Sequence, residues 1–393
     1  MINHRLIAQL TGWIVLITGC AFLPPLIPAY FYQDGSAIFF WQSLVVSTVL
    51  GAFLLAMGSG AGSNEPRYRD SLAIVGISWF LISLIGALPY IFSGRLDFWS
   101  AIFESFSGFS STGATAIKDL GPIPKGLLFW RAFTQWLGGM GIIVLMVAVL
   151  PFLGVGGQIM LKNEISGQAD KLKPRVAQTA KILWGLYISL TLILTILLFF
   201  GGLGFFDSVC QALTTVSTGG FSNYNESAGY HQSLYIRVVI LIFMFLGSVS
   251  IALYWQALTG HWRALIYNSE VVFLVSLILA VSLISSLALV FSGSIPNLGS
   301  AFFQSLFHAV SVVSTSGLML TDWSQWPHLS QSALFFLFFV GGCSGSTSGG
   351  VKVFRWILLI KSVHRACRKL IHPRGVFPVR VGGKIVSDQL LEG

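Results

Sequence analysis

Apolar runs of about twenty residues recur along this chain, and each is long enough to cross a lipid bilayer as a helix. Only 9% of the residues are charged and 54% are hydrophobic, whereas a soluble protein has about 25% charged residues. The sequence therefore predicts an all-α polytopic membrane protein. We place eight spans at residues 7–32, 37–59, 71–93, 127–153, 178–202, 234–257, 269–292 and 332–361.

The basic residues predict how these spans are oriented. Eight crossings put both termini on one side, and five of the 23 arginines and lysines fall on the opposite side: Arg95, Lys118, Lys125, Arg131 and Arg237. Because cytoplasmic loops are enriched in lysine and arginine, both termini are predicted to be cytoplasmic. The basic tail, residues 362–393, is predicted to be a solvated flank, with anionic lipid or an acidic partner as the alternative.

Three apolar segments, at residues 98–110, 204–216 and 299–313, are too short to cross and are predicted to be re-entrant half-helices entering from outside. Each is followed by a small polar turn and then by a span that carries a cluster of small residues. The unit of helix, half-helix, turn and helix thus occurs three times. Aligned on glycine, the turns are Ser111, Thr112 and Gly113; Ser217, Thr218 and Gly219; and Thr315, Ser316 and Gly317.

Such turns favour binding of a dehydrated monovalent cation. Irregular backbone at membrane depth must line a cavity or lie inside protein, and a ring of carbonyl oxygens can replace the water around such an ion. Divalent cations prefer several carboxylates, whereas Glu104 and Asp207 occur singly. They are predicted to cap the starts of their half-helices, with attraction of cations at an outer mouth of the pore as the alternative. His308 is predicted to pack or to form a hydrogen bond rather than to bind metal.

A tract of small residues interrupts the eighth span, and five glycines there disfavour a continuous helix. We predict a loop in the conduction path that acts as a gate, although close helix packing is an alternative. Lys352, which follows the tract, would either repel cations or reach toward the cytoplasm. The predicted gate residues are Gly341, Gly342, Ser344, Gly345, Ser346, Thr347, Ser348, Gly349 and Gly350.

The three units, the sequence WLGGMGIIV and the sequence GGCSGSTSGGVKV together resemble the TrkH/KtrB/HKT superfamily of potassium transporters, in its TrkH branch. The resemblance implies a potassium filter at the nine turn residues and a gating loop at 341–350. It also implies potassium as the bound ion with no organic cofactor, a cytoplasmic nucleotide-binding regulatory subunit, a homodimer and a bacterial inner-membrane location. The implied domains are a leading helix pair at 1–62, repeats at 71–160, 176–262 and 268–361, and the cytoplasmic tail.

The family has four such repeats around one pore axis, and this sequence supplies three. We therefore expect a truncated chain, with the fourth repeat removed by a cut, lost from a partial reading frame or encoded separately. The leading hypothesis is channel-like potassium uptake. The alternatives are a secondary transporter coupled to sodium or protons by symport, with sodium as a second cargo, and a non-functional fragment. An enzyme is disfavoured because acidic residues, histidines and cysteines are dispersed, and nucleic acid is not an expected partner.

Overall fold

The structure, a computed structural model, describes residues 4–59, 68–148, 172–373, 375, 377–381 and 384–385. Its regular secondary structure is helical, apart from a pair of two-residue antiparallel strands, Arg380–Val381 and Lys384–Ile385, and one parallel bridge between Val340 and Val351. The predicted all-helical class is therefore confirmed. Residues 149–171 and 386–393, which include the end of the predicted first repeat and of the tail, lie outside the described part of the chain.

The helices of the first part of the chain are α1 His4–Cys20, α2 Leu26–Phe31, α3 Ala37–Met57, α4 Tyr68–Gly86, α5 Leu88–Ser93, α6 Phe98–Phe109 and α7 Lys125–Ala148. Those that follow are α8 Leu172–Phe200, α9 Phe205–Val216, α10 Leu234–Ser248, α11 Ile251–Leu258, α12 Trp262–Ile266, α13 Ser269–Phe291, α14 Leu298–Val313, α15 His328–Leu337 and α16 Val353–Ile371. Two short 3-10 helices lie at Ser227–Tyr230 and Trp323–Gln325.

Four described helical segments are long and apolar enough to cross a membrane: Ala37–Met57, Ala73–Ser93, Ala180–Phe200 and Ser269–Phe291. They coincide with four of the eight predicted spans. Large apolar side chains are exposed along them, as expected where a helix faces lipid; Phe200 and Phe291 have exposed fractions of 81% and 85%.

Three other predicted spans are not straight helices. The first is interrupted between Cys20 and Leu26, where Pro24 and Pro25 remove backbone donors. The sixth is bent by 97° between α10 and α11. The eighth is divided by the small-residue tract into α15 and α16.

The three half-helices have nearly the predicted bounds, as α6, α9 and α14. The start of α6 is capped by Asp97, whose carboxylate accepts hydrogen bonds from the backbone N–H groups of Trp99 and Ser100. Hydrogen bonds from Ser100 and from the backbone hold the pKa of the Asp97 carboxyl below its usual range. Glu104 lies in the middle of α6 and is fully buried, so its predicted capping role is wrong.

Contacts divide the chain into two compact units. The first comprises Met1–Gly138, Val209–Leu213 and Phe221–Asn225, and the second comprises Gly139–Ser208, Thr214–Gly220 and Glu226–Gly393. The core of the first unit surrounds Trp130, which is fully buried and whose indole N–H donates to the carbonyl of Gly86 at 3.0 Å. This packing holds α7 against the helices before it.

Candidate functional site: the half-helix turns and the glycine loop

The three turns share one backbone conformation. In each, a non-glycine residue two positions after the half-helix has a positive φ, and a glycine two positions later has one as well. The first set is Ser111, Thr218 and Thr315, with φ of 53°, 54° and 58°; the second is Gly113, Gly220 and Gly317, with φ of 78°, 79° and 69°. Left-handed backbone at a non-glycine residue costs free energy, so its recurrence in all three turns indicates a common constraint.

Backbone hydrogen bonds give the same correspondence between turns. The residue between the two left-handed positions donates its N–H to a carbonyl five residues earlier. These pairs are Thr112 to Ser107 at 2.9 Å, Gly219 to Thr214 at 2.9 Å, and Ser316 to Ser311 at 3.0 Å. Thr112, Gly219 and Ser316 are therefore equivalent.

The predicted alignment of the second turn is consequently off by one residue. Gly220, and not Gly219, corresponds to Gly113 and Gly317, and Ser217 lies before the shared frame. Aligning on the first glycine of a glycine pair caused the error. The last apolar residue of each half-helix, Phe109, Val216 or Val313, would have given the correct alignment.

The second and third turns are in direct contact within the second unit. A methyl group on Gly220 would overlap the main-chain oxygen of Ser316. The segments beyond these turns also pair, since the N–H of Gly229 donates to the carbonyl of Met319 at 2.9 Å. The first turn belongs to the other unit, where the Ser111 hydroxyl donates to the carbonyl of Gln135 at 3.0 Å.

The cluster of small residues in each repeat allows close approach to that repeat's own turn or half-helix end. A Cβ on Gly138 would overlap the carbonyl of Phe109, and one on Gly247 would lie 2.7 Å from Cγ2 of Thr218. In the third repeat the corresponding atom on Gly349 would be 3.6 Å from Thr315. A side chain would therefore be too close to its neighbours at Gly138 and Gly247, whereas at Gly349 it would be at an ordinary contact distance.

The predicted gate segment forms a loop whose two ends are joined. The N–H of Gly341 donates to the carbonyl of Val351 at 2.9 Å, and that of Val353 donates to Gly342 at 3.2 Å. Between these ends Ser346, Thr347 and Ser348 are buried, whereas Gly349 and Gly350 are exposed. The segment is not a continuous helix, as its glycine content predicts.

The loop lies against both turns of its unit. The Thr347 hydroxyl lies 3.1 Å from the carbonyl of Gly247, 3.3 Å from that of Val216 and 3.4 Å from the Thr218 hydroxyl. The N–H of Gly349 donates to the Thr315 hydroxyl at 2.8 Å. One loop therefore contacts the left-handed residues of the second and third turns.

The same loop explains the bend between α10 and α11. The N–H of Cys343 donates to the carbonyl of Ser248 at 2.8 Å, and the N–H of Ile251 donates to the carbonyl of Gly345 at 3.3 Å. Backbone groups freed by a break in a membrane helix must find partners. Here the loop supplies them.

Two charged side chains hold the loop. A carboxylate oxygen of Glu270, at the start of α13, accepts the N–H of Ser344 at 2.7 Å. The Lys352 ammonium contacts the carbonyls of Ser346 and Ser348. Neither predicted role of Lys352 describes this contact, because its side chain turns back onto the loop.

The remaining polar residues singled out from the sequence have separate positions. The ring nitrogens of His308 lie 2.9 Å and 3.1 Å from the carbonyls of Gln304 and Thr321, which confirms the predicted hydrogen-bonding role. Asp207 lies in the first turn of α9, as predicted. Within the described residues, no group of three or more histidine, cysteine, aspartate or glutamate side chains is placed to hold a metal ion.

Comparison with known proteins gives consistent matches over the whole chain. A family model described as "TrkH: Cation transport protein" matches residues 37–393. The chain is 35% identical to the Trk system potassium uptake protein TrkH of Salmonella typhimurium, covering 99% of this chain and 82% of that protein. It is 34% identical to the Trk system potassium uptake protein TrkG of Escherichia coli, covering 98% and 80%.

The fold also matches a solved structure. The crystal structure of the potassium transporter TrkH from Vibrio parahaemolyticus aligns with a TM-score of 0.91 at 32% sequence identity. The alignment covers 100% of this chain and 81% of that one.

Proposed function

Because the chain belongs to the TrkH family of cation transport proteins, we propose that it carries potassium into the cell through a pore whose ion-binding oxygens are main-chain carbonyls of the half-helix turns. The family consists of membrane transporters, so the chain is not an enzyme. The observation that carries the proposal is the pair of left-handed residues repeated in all three turns.

The turn conformation fits a carbonyl filter for a physical reason. Alternating left-handed residues allow successive carbonyl oxygens to face one side. Each turn follows the carboxyl end of a half-helix, which is the negative pole of its dipole and favours a cation. The corrected filter residues are Ser111, Thr112, Gly113, Thr218, Gly219, Gly220, Thr315, Ser316 and Gly317.

The turns carry no charged side chains, which favours a monovalent ion over a divalent one. Their side chains are serine, threonine or glycine, and none carries a carboxylate that would favour calcium or magnesium. Neutral carbonyl ligands can hold an alkali cation weakly enough for it to leave again, which conduction requires.

In this proposal the loop at 341–350 is the gate of the pore. It contacts Thr218 and Thr315, so an ion leaving these turns toward the cytoplasm meets the loop. Glu270 and Lys352 hold the loop in its observed position, and its displacement would open the path.

Membership in the family supports a proposal about the partners and the location of the chain. We propose an inner membrane location with both termini cytoplasmic, a homodimer, and a cytoplasmic nucleotide-binding regulatory subunit. Glu104 is buried and Glu270 is partly buried. Both carboxylates accept hydrogen bonds from protein groups, which favours a channel-like pore over proton symport.

Rubidium uptake tests the proposed function. In cells that lack their own potassium uptake systems, the native gene is expected to restore growth at low potassium and to give saturable rubidium uptake. Excess potassium should compete, and excess sodium or magnesium should compete weakly. Cells carrying an empty vector are the control. Absence of rubidium uptake, with the protein present in the membrane, would refute the proposal.

A further inference from the structure

A buried ion pair lies in the first unit, outside the turns themselves. The guanidinium Nε of Arg131 and the carboxylate Oε1 of Glu104 are 2.7 Å apart, and the two side chains are 2% and 0% exposed. Removing both charges from water costs free energy that their attraction repays only in part, and a well-packed apolar pair is often as stable. The pair therefore suggests a role beyond stability.

The Arg131 guanidinium joins chain segments that follow two different turns. Its Nη2 donates to the Thr115 hydroxyl at 3.2 Å, and its Nη1 donates to the carbonyl of Ser222 at 3.0 Å. Its central carbon lies 4.2 Å from the centre of the Phe221 ring. Thr115 comes two residues after Gly113, and Phe221 follows Gly220 directly.

Glu104 completes the connection to the first of these segments. Its Oε2 accepts the N–H of Ala116 at 2.9 Å, and both of its oxygens lie 3.0 Å from the Thr115 hydroxyl. Both oxygens of the Glu104 carboxylate therefore accept hydrogen bonds from Arg131 or from the residues beyond the first turn. These protein donors occupy the positions where an ion would bind.

Gln135 lies one helical turn after Arg131, on the same face of α7. Its side-chain oxygen accepts the N–H of Phe221 at 3.0 Å, and its main-chain oxygen accepts the Ser111 hydroxyl at 3.0 Å. One helix face therefore holds a residue of the first turn and the residue that directly follows the second.

We infer that Glu104 and Arg131 are positioning residues that set the discrimination between potassium and sodium, by fixing the backbone beyond the first and second turns. The inference rests on the proposed filter. If carbonyl oxygens bind the ion, their spacing depends on how firmly the flanking backbone is held, and a looser ring would close around the smaller sodium ion. The guanidinium fork supplies donors in directions that a lysine ammonium cannot reproduce.

The test is Arg131→Lys, which keeps the charge next to Glu104 and removes the fork. The measured quantity is the selectivity ratio, which is the preference for rubidium over sodium obtained from sodium inhibition of rubidium uptake. We expect this ratio to fall by roughly 2- to 30-fold. Thermal unfolding in detergent and membrane abundance are measured in parallel. The matched control is Arg95→Lys, an exposed arginine in the outer loop of the same repeat, which should leave the ratio unchanged.

An unchanged ratio in folded Arg131→Lys, with or without a lower unfolding temperature, would overturn the inference and leave the pair a structural role only. If that variant is absent from the membrane, Thr115→Val provides the test of the inference. It removes the hydroxyl shared by Glu104 and Arg131, and it should lower the ratio in the same direction. An unchanged ratio there would also overturn the inference. Failure of the native protein to prefer rubidium would instead refute the proposed function.

Discussion

Gly220→Ala is expected to reduce potassium-selective uptake to background. Gly220 has a φ of 79°, where a side chain costs about 1–2 kcal/mol. More severely, its new Cβ would overlap the main-chain oxygen of Ser316, so the second and third turns would have to separate. Because the oxygen belongs to the backbone, no rotamer change relieves the overlap. Rubidium uptake and its inhibition by sodium measure the effect.

Three variants serve as controls for Gly220→Ala. Gly219→Ser should be tolerated far better, since Thr112 and Ser316 occupy the equivalent position. Gly317→Ala meets no atom within 4 Å and carries only the conformational strain. Gly293→Ala, with a φ of 73° in the segment between α13 and α14, should leave selectivity intact. Native uptake rate and selectivity in Gly220→Ala would show that the two turns do not depend on this contact.

Shortening the glycine loop is expected to have the second largest effect. Deletion of Ser344–Ser348 removes the Thr347 hydroxyl, which contacts the carbonyls of Val216 and Gly247. It also removes the Ser344 N–H, which donates to the Glu270 carboxylate. Two lost hydrogen bonds alone remove about 2 kcal/mol, a roughly 30-fold shift between closed and open states. Basal rubidium flux into proteoliposomes, without any regulatory partner, should rise accordingly.

Substitutions at Thr347 give a graded control for the deletion. Thr347→Val removes the hydroxyl at nearly constant volume and should raise basal flux less than the deletion does. Thr347→Ser keeps the hydroxyl and should behave like the native protein. A folded deletion variant whose flux is unchanged or lower would contradict a gating role for the loop.

The half-helices and the interrupted eighth span could be predicted because their signals are local. An apolar run shorter than a bilayer and followed by serine, threonine and glycine can be recognised without knowing what surrounds it. The same holds for the loop, since five glycines within ten residues disfavour a helix wherever the segment lies.

Local signals also account for two errors. Glycine at both Gly219 and Gly220 offered two alignments, and only backbone conformation distinguishes them. Asp97 stands directly before the first residue of α6 and is a better capping candidate than Glu104. Attention to the cap position would have left Glu104 unassigned and available for another role.

Contacts between distant residues could not be predicted from one sequence. Arg131 was counted among the charges of the outer side, yet it is buried and bonded to Ser222, 91 residues later. The bend after Ser248 depends on loop residues such as Cys343, far along the chain. The sequence around Arg131 gives no sign of its contact with Ser222, and the sequence around Ser248 gives no sign of its contact with Cys343.

The most direct test of the carbonyl filter is a structure of the native protein determined in rubidium, with the ion located by its anomalous scattering. The account predicts rubidium beside the main-chain oxygens of the half-helix turns, including those around Gly220 and Ser316, displaced by potassium and not by an equal concentration of sodium. Rubidium bound instead at carboxylates such as Glu270, with the turns of a transport-active protein empty, would contradict it.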